Sequence, residues 1–588
     1  MISLRGWLAI VLLGIGCGGS APGTTPGATA KGGGSTDAAG VTGRADAAAT
    51  MEGGMAAEGG LAPGDGGPGA AAGAGLRLFF SDLESGPSSG GQNGKGAFVT
   101  VWGHGFGATR GASTVTVGGG VVDSYPSWSP TRIALQLGSA AATGSIVVHV
   151  AGAGDSNPLP FTVRPGAIDF VTSSGDDSNA GTFAAPWKTI AHAKDNLAAG
   201  DIAYLGTSAG DTVSQTGVAS YNASLSIDHA DGTNAGTAAL PKALVAYPGA
   251  TATVGQASGV ERGLLVPAIT GTFGYWVIAG LTLRGAVSAL DFEGPSDGWR
   301  VIGNDFSCPN GTGLSGCVVG GDGTTPDHLR FYGNVVHDAA ASVATTTKYY
   351  HGIYLASNNL DLGWNEVRDG KTCRAIQFHD SAGPNLYGIS VHDNLIHGTA
   401  CDGLNFATVD PSQGVVEAYN NVIYDVGAGP DPADGSSDYA GIYVANITNA
   451  GSPGSGNVHL YNNTLYDCGA RGTGAAGAIA RAAGPVGIQM EDNLVVAVSG
   501  ESYFSGDLST LAGSNNLFFG VAASVPSVLM GTITRDPRLV APAMSDFHLQ
   551  AGSAAIDTGI ATPAGIDLDG DPRPQGSAFD LGAYERVP

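Results

Sequence analysis

Between Leu78 and Val163 apolar residues alternate with small or polar ones in short runs, among them Phe98-Val99-Thr100-Val101-Trp102, Thr114-Val115-Thr116-Val117 and Ile146-Val147-Val148-His149-Val150. A period of two broken by Gly-rich segments predicts short antiparallel strands. Beyond residue 166 the pattern changes to a long repeat. Asn304, Asn334, Asn365, Asn394, Asn421, Asn463, Asn493 and Asn516 each sit among β-forming residues, and successive members are 30, 31, 29, 27, 42, 30 and 23 residues apart. Coils of that length cannot bury their own apolar side, so they stack into a solenoid. The outlying 42 places an insertion between Val426 and Asn457. A regular Leu lattice is absent and the spacing is short for a propeller blade, so the repeat predicts a right-handed parallel β-helix. Asn suits a coil corner, because it tolerates left-handed backbone and stacked amides hydrogen-bond along the axis.

Near the start, Arg5 precedes the apolar run Gly6-Trp7-Leu8-Ala9-Ile10-Val11-Leu12-Leu13, and Cys17 follows shortly after. The run is too short to span a bilayer and reads as a signal peptide over residues 1–17. Residues 18–76 are nearly all Gly, Ala, Ser, Thr and Pro, too little apolar surface to offset the entropy of ordering, which predicts a flexible tether. Lys plus Arg number 25 against 50 Asp plus Glu, and the net charge of −25 argues against nucleic acid or an anionic lipid surface as a partner.

Three resemblances sharpen this reading. The segment ending Gly14-Ile15-Gly16-Cys17 resembles a bacterial lipoprotein signal, although Gly14 stands where the Leu of the box belongs. That resemblance implies lipidation at Cys17, with Gly18 favouring the outer membrane. The succession Gly90-Gly91, Trp102-Gly103-His104-Gly105-Phe106-Gly107, Trp128 and Phe161-Thr162-Val163 resembles an IPT/TIG domain, an immunoglobulin-like β-sandwich that serves as a spacer or interaction module. Finally, Gly175-Asp176-Asp177-Ser178-Asn179, then Pro186-Trp187-Lys188-Thr189-Ile190, resembles the first module of pectate-lyase-like β-helix proteins. From Pro186 a short helix is expected, with Ile190, Ala193 and Leu197 on the face that plugs the open N-terminal end. Asp580-Leu581-Gly582-Ala583-Tyr584-Glu585 resembles the terminal module of such proteins. The expected organisation is all-β: sandwich over 77–165, β-helix over 166–530 and C-terminal cap over 531–588.

Candidate chemistry lies on one aligned strand of four successive coils. With aliphatic and Phe side chains inward, Tyr354, Gln377, Asn405 and Tyr443 form an outward column, with His379 on the same face. At the preceding corner His351, Arg374 and Asp402 stack, with Lys348 and Lys371 on the loops before them. Such a face suits a polysaccharide, since Tyr rings pack on sugar faces while amides and charges take hydroxyls. The pectate-lyase-like resemblance adds a chemistry: β-elimination needs a base for the proton alpha to a uronate carboxylate and a cation for the enolate charge. Lys371 or His351 would be the base, Arg374 the carboxylate partner, and Tyr354, Gln377, His379, Asp402, Asn405 and Tyr443 the substrate contacts. An exposed ion pair between Arg374 and Asp402, without chemistry, is the plain alternative. Calcium is a candidate cofactor, at Asp431, Asp434 and Asp438 or at Asp176 and Asp177, whereas Asp567-Leu568-Asp569-Gly570-Asp571 lacks EF-hand spacing and reads as a turn. Cys373 and Cys401 occupy equivalent positions on consecutive coils and are expected to pair, Cys308 and Cys317 to close a local loop, and Cys468 to stay single. The expectation is a monomeric surface protein that binds and cleaves extracellular polysaccharide, or else a non-catalytic adhesin, touching the membrane only through Cys17.

Overall fold

The computed structural model describes residues 75–587, except 229–232, 322–325, 345–346, 382–384, 433, 436–437, 449–452, 471–474, 499–500 and 521–523. The signal segment, Cys17 and nearly all of the expected tether therefore lie outside the described residues.

The alternating segment forms a sandwich. One sheet orders Arg77–Ser81, Phe98–His104, Arg132–Gln136 and Ser124–Trp128; the other pairs Leu159–Val163 with Gly144–Val150 and that strand with Thr114–Val117. Every second residue points between the sheets, and Val99, Val101, Val115, Ile133, Leu135, Ile146 and Val148 are fully buried.

From Ile168 onward the chain winds a right-handed parallel β-helix with three faces. The first face is a 12-stranded sheet from Ile168–Val171 to Leu511–Ser514, the second an 11-stranded sheet from Thr212–Gln215 to Leu517–Gly520, and the third a 10-stranded sheet from Ala223–Ser226 to Phe504–Gly506. The inward Leu, Ile, Val and Phe of all three make one continuous core. The plug helix is Ile190–Asn196, capped by the Thr189 hydroxyl, which accepts from the His192 amide at 3.1 Å. It starts later than the expected Pro186 because Trp187 bridges Val171 as a strand partner. Ile190, Ala193 and Leu197 are its buried face, as the spacing requires.

Between the first and second faces runs the Asn ladder. Asn304 Nδ2 donates to Asn334 Oδ1 at 3.0 Å, and the same bond joins each successive member through Asn365, Asn394, Asn421, Asn463 and Asn493 to Asn516. The step from Asn421 to Asn463 measures 2.9 Å, so the insertion leaves the stacking undisturbed. One detail departs from expectation. The left-handed residue is not the ladder Asn but the one before it: Gly303, Gly333, Trp364, Asp393, Asn420, Asn462, Asp492 and Asn515 all have positive φ. The division is physical, because a ladder Asn must turn its amide inward to be paired on both sides, and the tight turn is made by its neighbour.

The flanking modules pack along the solenoid. Phe80 and Trp102 of the sandwich share a hydrophobic cluster with Tyr204, Val245, Val277, Ile302 and Tyr332 of the first face. At Gly333 a Cβ would stand 2.6 Å from the Phe80 ring, so only glycine fits that turn. The sandwich is thus a fused wall and not a free spacer. Residues 531–587, the described part of the segment expected as an end cap, lie along the flank of the second face, where Leu539, Phe547, Leu549 and Leu581 cover Val422, Leu494 and Leu517. The Asp567–Asp571 segment is a turn there, with the Asp567 carboxylate accepting from the Asp571 and Glu585 amides.

Candidate functional site

The aligned strands on the third face are Tyr350–Leu355, Arg374–Phe378, Asp402–Phe406 and Asp438–Val444. Their register places Tyr354 beside Gln377, Gln377 beside Asn405 and Asn405 beside Tyr443, and stacks His351 on Arg374 and Arg374 on Asp402. Ile353, Ile376, Leu404 and Ile442 point into the core. All of this was legible from a period of two.

Burial was not. The column expected to face solvent is largely covered, with Gln377 6% exposed, Asn405 1% and Tyr443 9%. His351 and Asp402 are buried as well, which overturns the exposed ion-pair alternative. The insertion after Val426 bonds to the corner beside this column. Asp434 accepts from the Lys348 amide, and Asp438 reaches Arg374 Nη2 at 2.7 Å. Arg374 also donates to the Lys348 carbonyl and lies 3.3 Å from Asp402 Oδ2. With two carboxylates and a carbonyl around it, this guanidinium ties its own coil to the neighbouring ones and has little left for a substrate. Asp402 additionally accepts from Asn405 Nδ2 and the Ala440 amide; burial pushes its carboxyl up to about 6, Arg374 opposing and Asp438 reinforcing. Lys371 is directed elsewhere, its ammonium donating to the Val343 carbonyl at 3.0 Å.

Two titratable side chains remain half-buried on this face and touch each other. Tyr354 Oη is 2.9 Å from His379 Nδ1. The Tyr354 ring lies flat on the His351 ring, centroids 5.4 Å apart. Burial, with Arg374 and His379 nearby, holds His351 neutral, its pKa well below that of an ordinary imidazole. Among the described residues, His351 Nδ1, Gln377 Oε1 and Asn405 Oδ1 are buried without a hydrogen-bond partner. Such orphan groups are costly, and three of them lie under this one face.

The candidate calcium ligands are otherwise engaged. Asp431 accepts from the Tyr439 hydroxyl, Asp434 and Asp438 bind the loops named above, and Asp176 and Asp177 accept from Ser178, Lys188 and Thr189. Among the described residues no group of three or more His, Cys, Asp or Glu is gathered as a metal site.

A second polar array lies on the outward side of the first face and was missed in the sequence. Two residues before each ladder Asn stand Tyr332, Gly363, His392, Tyr419, Tyr461 and Glu491, in register; four before stand Arg330, Asp361, Ser390, Glu417, His459 and Gln489. The Tyr419 ring stacks on His392 at 5.1 Å and on Tyr461 at 4.9 Å. His392 is clasped by Asp361 and Asp393 at 2.8 and 2.7 Å; burial opposes its charge, yet these carboxylates raise its pKa to about 9. Counting backwards by two from each Asn would have found both columns.

Residues 82–163 match the IPT/TIG domain family. Comparison with curated proteins gives no match. Among solved structures the chain is similar to pectate lyase Pel9A, at 14% identity over 71% of this chain and 96% of that one, with a TM-score of 0.47. It is also similar to a rhamnogalacturonan lyase, at 15% identity over 70% of this chain and 96% of that one, TM-score 0.34. A third likeness is to the catalytic unit of a GH87 alpha-1,3-glucanase from Streptomyces thermodiastaticus strain HF3-3, at 12% identity over 72% of this chain and 83% of that one, TM-score 0.28. The chain thus carries a segment similar to IPT/TIG domains, at residues 82–163, ahead of the parallel β-helix described above.

Proposed function

We propose that this protein binds an acidic extracellular polysaccharide across the third face of its β-helix and cleaves it by β-elimination. The observation that carries this reading is the hydrogen-bonded, half-buried Tyr354 and His379 pair, backed by a neutral His351. In the elimination the Tyr354 oxygen takes the proton alpha to the uronate carboxylate while its own proton passes to His379. The bond from the adjacent carbon to the glycosidic oxygen breaks, and that oxygen leaves as the new hydroxyl with a proton returned by the pair. One product ends in an unsaturated sugar, and no water is consumed. Arg374, expected as the carboxylate partner, is taken up by Asp402, Asp438 and the Lys348 carbonyl, so the positive charge beside the enolate is His379 once it holds the Tyr354 proton.

An extracellular setting belongs to the same proposal. The bridges Cys308–Cys317 and Cys373–Cys401 favour an oxidising compartment, and the segment before Cys17 suits export with a lipid anchor at that residue. Incubation with a panel of uronate polymers, read by ultraviolet absorbance of unsaturated ends, tests the reaction. Wild type is expected to release such ends, and Tyr354→Phe to lose turnover by about a hundredfold or more while keeping affinity. If wild type releases none from any uronate polymer but retains one, the protein is an adhesin.

A further inference from the structure

The edge of the sandwich and the first face of the β-helix enclose a cleft of about 790 Å³, which continues into a smaller one of about 270 Å³. Glu84, Arg330 and Asp361 line both. Two guanidiniums meet one carboxylate there: Arg300 Nη1 is 2.6 Å from Glu84 Oε1, and Arg330 Nη1 is 3.0 Å from Glu84 Oε2. The Arg300 side chain is only 9% exposed, and its Nε is buried without a hydrogen-bond partner. The other carboxylate in the cleft, Asp361, is held by the Tyr332 hydroxyl and by His392. Asp82 also acts on Arg300 and Asp361 on Arg330, but Arg330 engages Glu84 through Nη1 alone and its side chain is half in solvent, so its Nε and Nη2 are donors that a further carboxylate can take.

The smaller cleft has an aromatic wall. Tyr332 and Trp364 pack edge to face at 5.4 Å, and Phe79 of the sandwich stacks on Trp364 at 5.7 Å. Trp364 has φ 55°, at a turn where the other coils carry Gly303, Gly333, Asp393, Asn420 and Asn462. A bulky residue in left-handed backbone is strained, and such strain gathers where a side chain is needed in a particular place.

We propose that this cleft is a second glycan site, distinct from the third-face cluster, that takes a uronate residue with its carboxylate on Arg330 and its ring against the Trp364 and Tyr332 wall. It rests on the reading that the polymer is acidic. A chain bound there would be tethered to the protein while the third face works on another segment, so the site would act through effective concentration.

Calorimetric titration with oligogalacturonate, and with a cello-oligosaccharide of equal length as the neutral control, tests this in a Tyr354→Phe background, where the ligand survives. Arg330→Gln and Trp364→Asn are each expected to weaken oligogalacturonate about tenfold or more and to leave the neutral control unchanged. Trp364→Asn introduces the residue that the same turn carries at positions 420 and 462, so the fold is expected to persist, which circular dichroism checks. Unaltered affinity in both variants overturns the cleft, as does failure of the parent to bind any oligouronate. Loss of affinity in both variants, in a protein whose wild type cleaves nothing, upholds the cleft and rejects the lyase reading. Cleavage by wild type with unaltered affinity in both variants does the reverse.

Discussion

His392 is clasped by two carboxylates, and its pKa is raised from about 6.5 to about 9 in the folded chain. A base whose folded pKa is raised contributes stability that is complete below its unfolded value and is lost as pH rises through the folded one. The contribution is on the order of 3 kcal/mol, from the cost of one pH step per proton. The midpoint of thermal unfolding is therefore expected to fall between pH 6.5 and 9 more steeply in wild type than in His392→Gln; parallel curves would remove His392 from the account. Asn421 shows a different kind of dependence. Its Oδ1 accepts from the Asn394 amide and side chain, and its Nδ2 donates to Val391 and Asn463. Asn421→Ala leaves buried donors and acceptors unpaired on two neighbouring coils. It is expected to cost about 2 to 4 kcal/mol by denaturant unfolding, whatever the pH.

At the scale of elements, the strands Arg374–Phe378 and Asp402–Phe406 are joined twice, by the Arg374 and Asp402 ion pair and by the Cys373–Cys401 bridge immediately before it, with Cα atoms 4.4 Å apart. The bridge fixes the spacing of the two corners, so the insertion that lands on Arg374 finds a rigid base. Thiol titration of denatured, unreduced protein lacking Cys17 is expected to find one free thiol, Cys468; five would reject both bridges. The insertion illustrates what pattern reading misses. Its place was visible as a spacing of 42, but its effect was not, because whether a loop lies over a face or away from it depends on partners such as Lys348 and Arg374, some 60 to 90 positions earlier.

At the scale of the whole molecule, the sandwich and the C-terminal residues sheathe the solenoid from two sides, and a hydrogen bond from the Gly75 amide to Asp571 at 2.7 Å ties them together. Export is the prediction that belongs here: labelled fatty acid is expected to enter wild type and not Cys17→Ser, and equal labelling of both would reject the anchor. Alternation and the recurring Asn determined the sandwich, the β-helix, the inward residues and the register of the third-face column, because these are set by local periods of two and by the length of one turn of the solenoid. The same local signals already contained the first-face columns, which sit at fixed offsets from each Asn. Which polar residues are covered, which guanidinium is spent on structure and where a cleft opens were decided only by the tertiary structure. Those outcomes depend on contacts such as Glu84 with Arg300 and Arg330, more than 200 positions apart, and no local pattern encodes a distance of that kind.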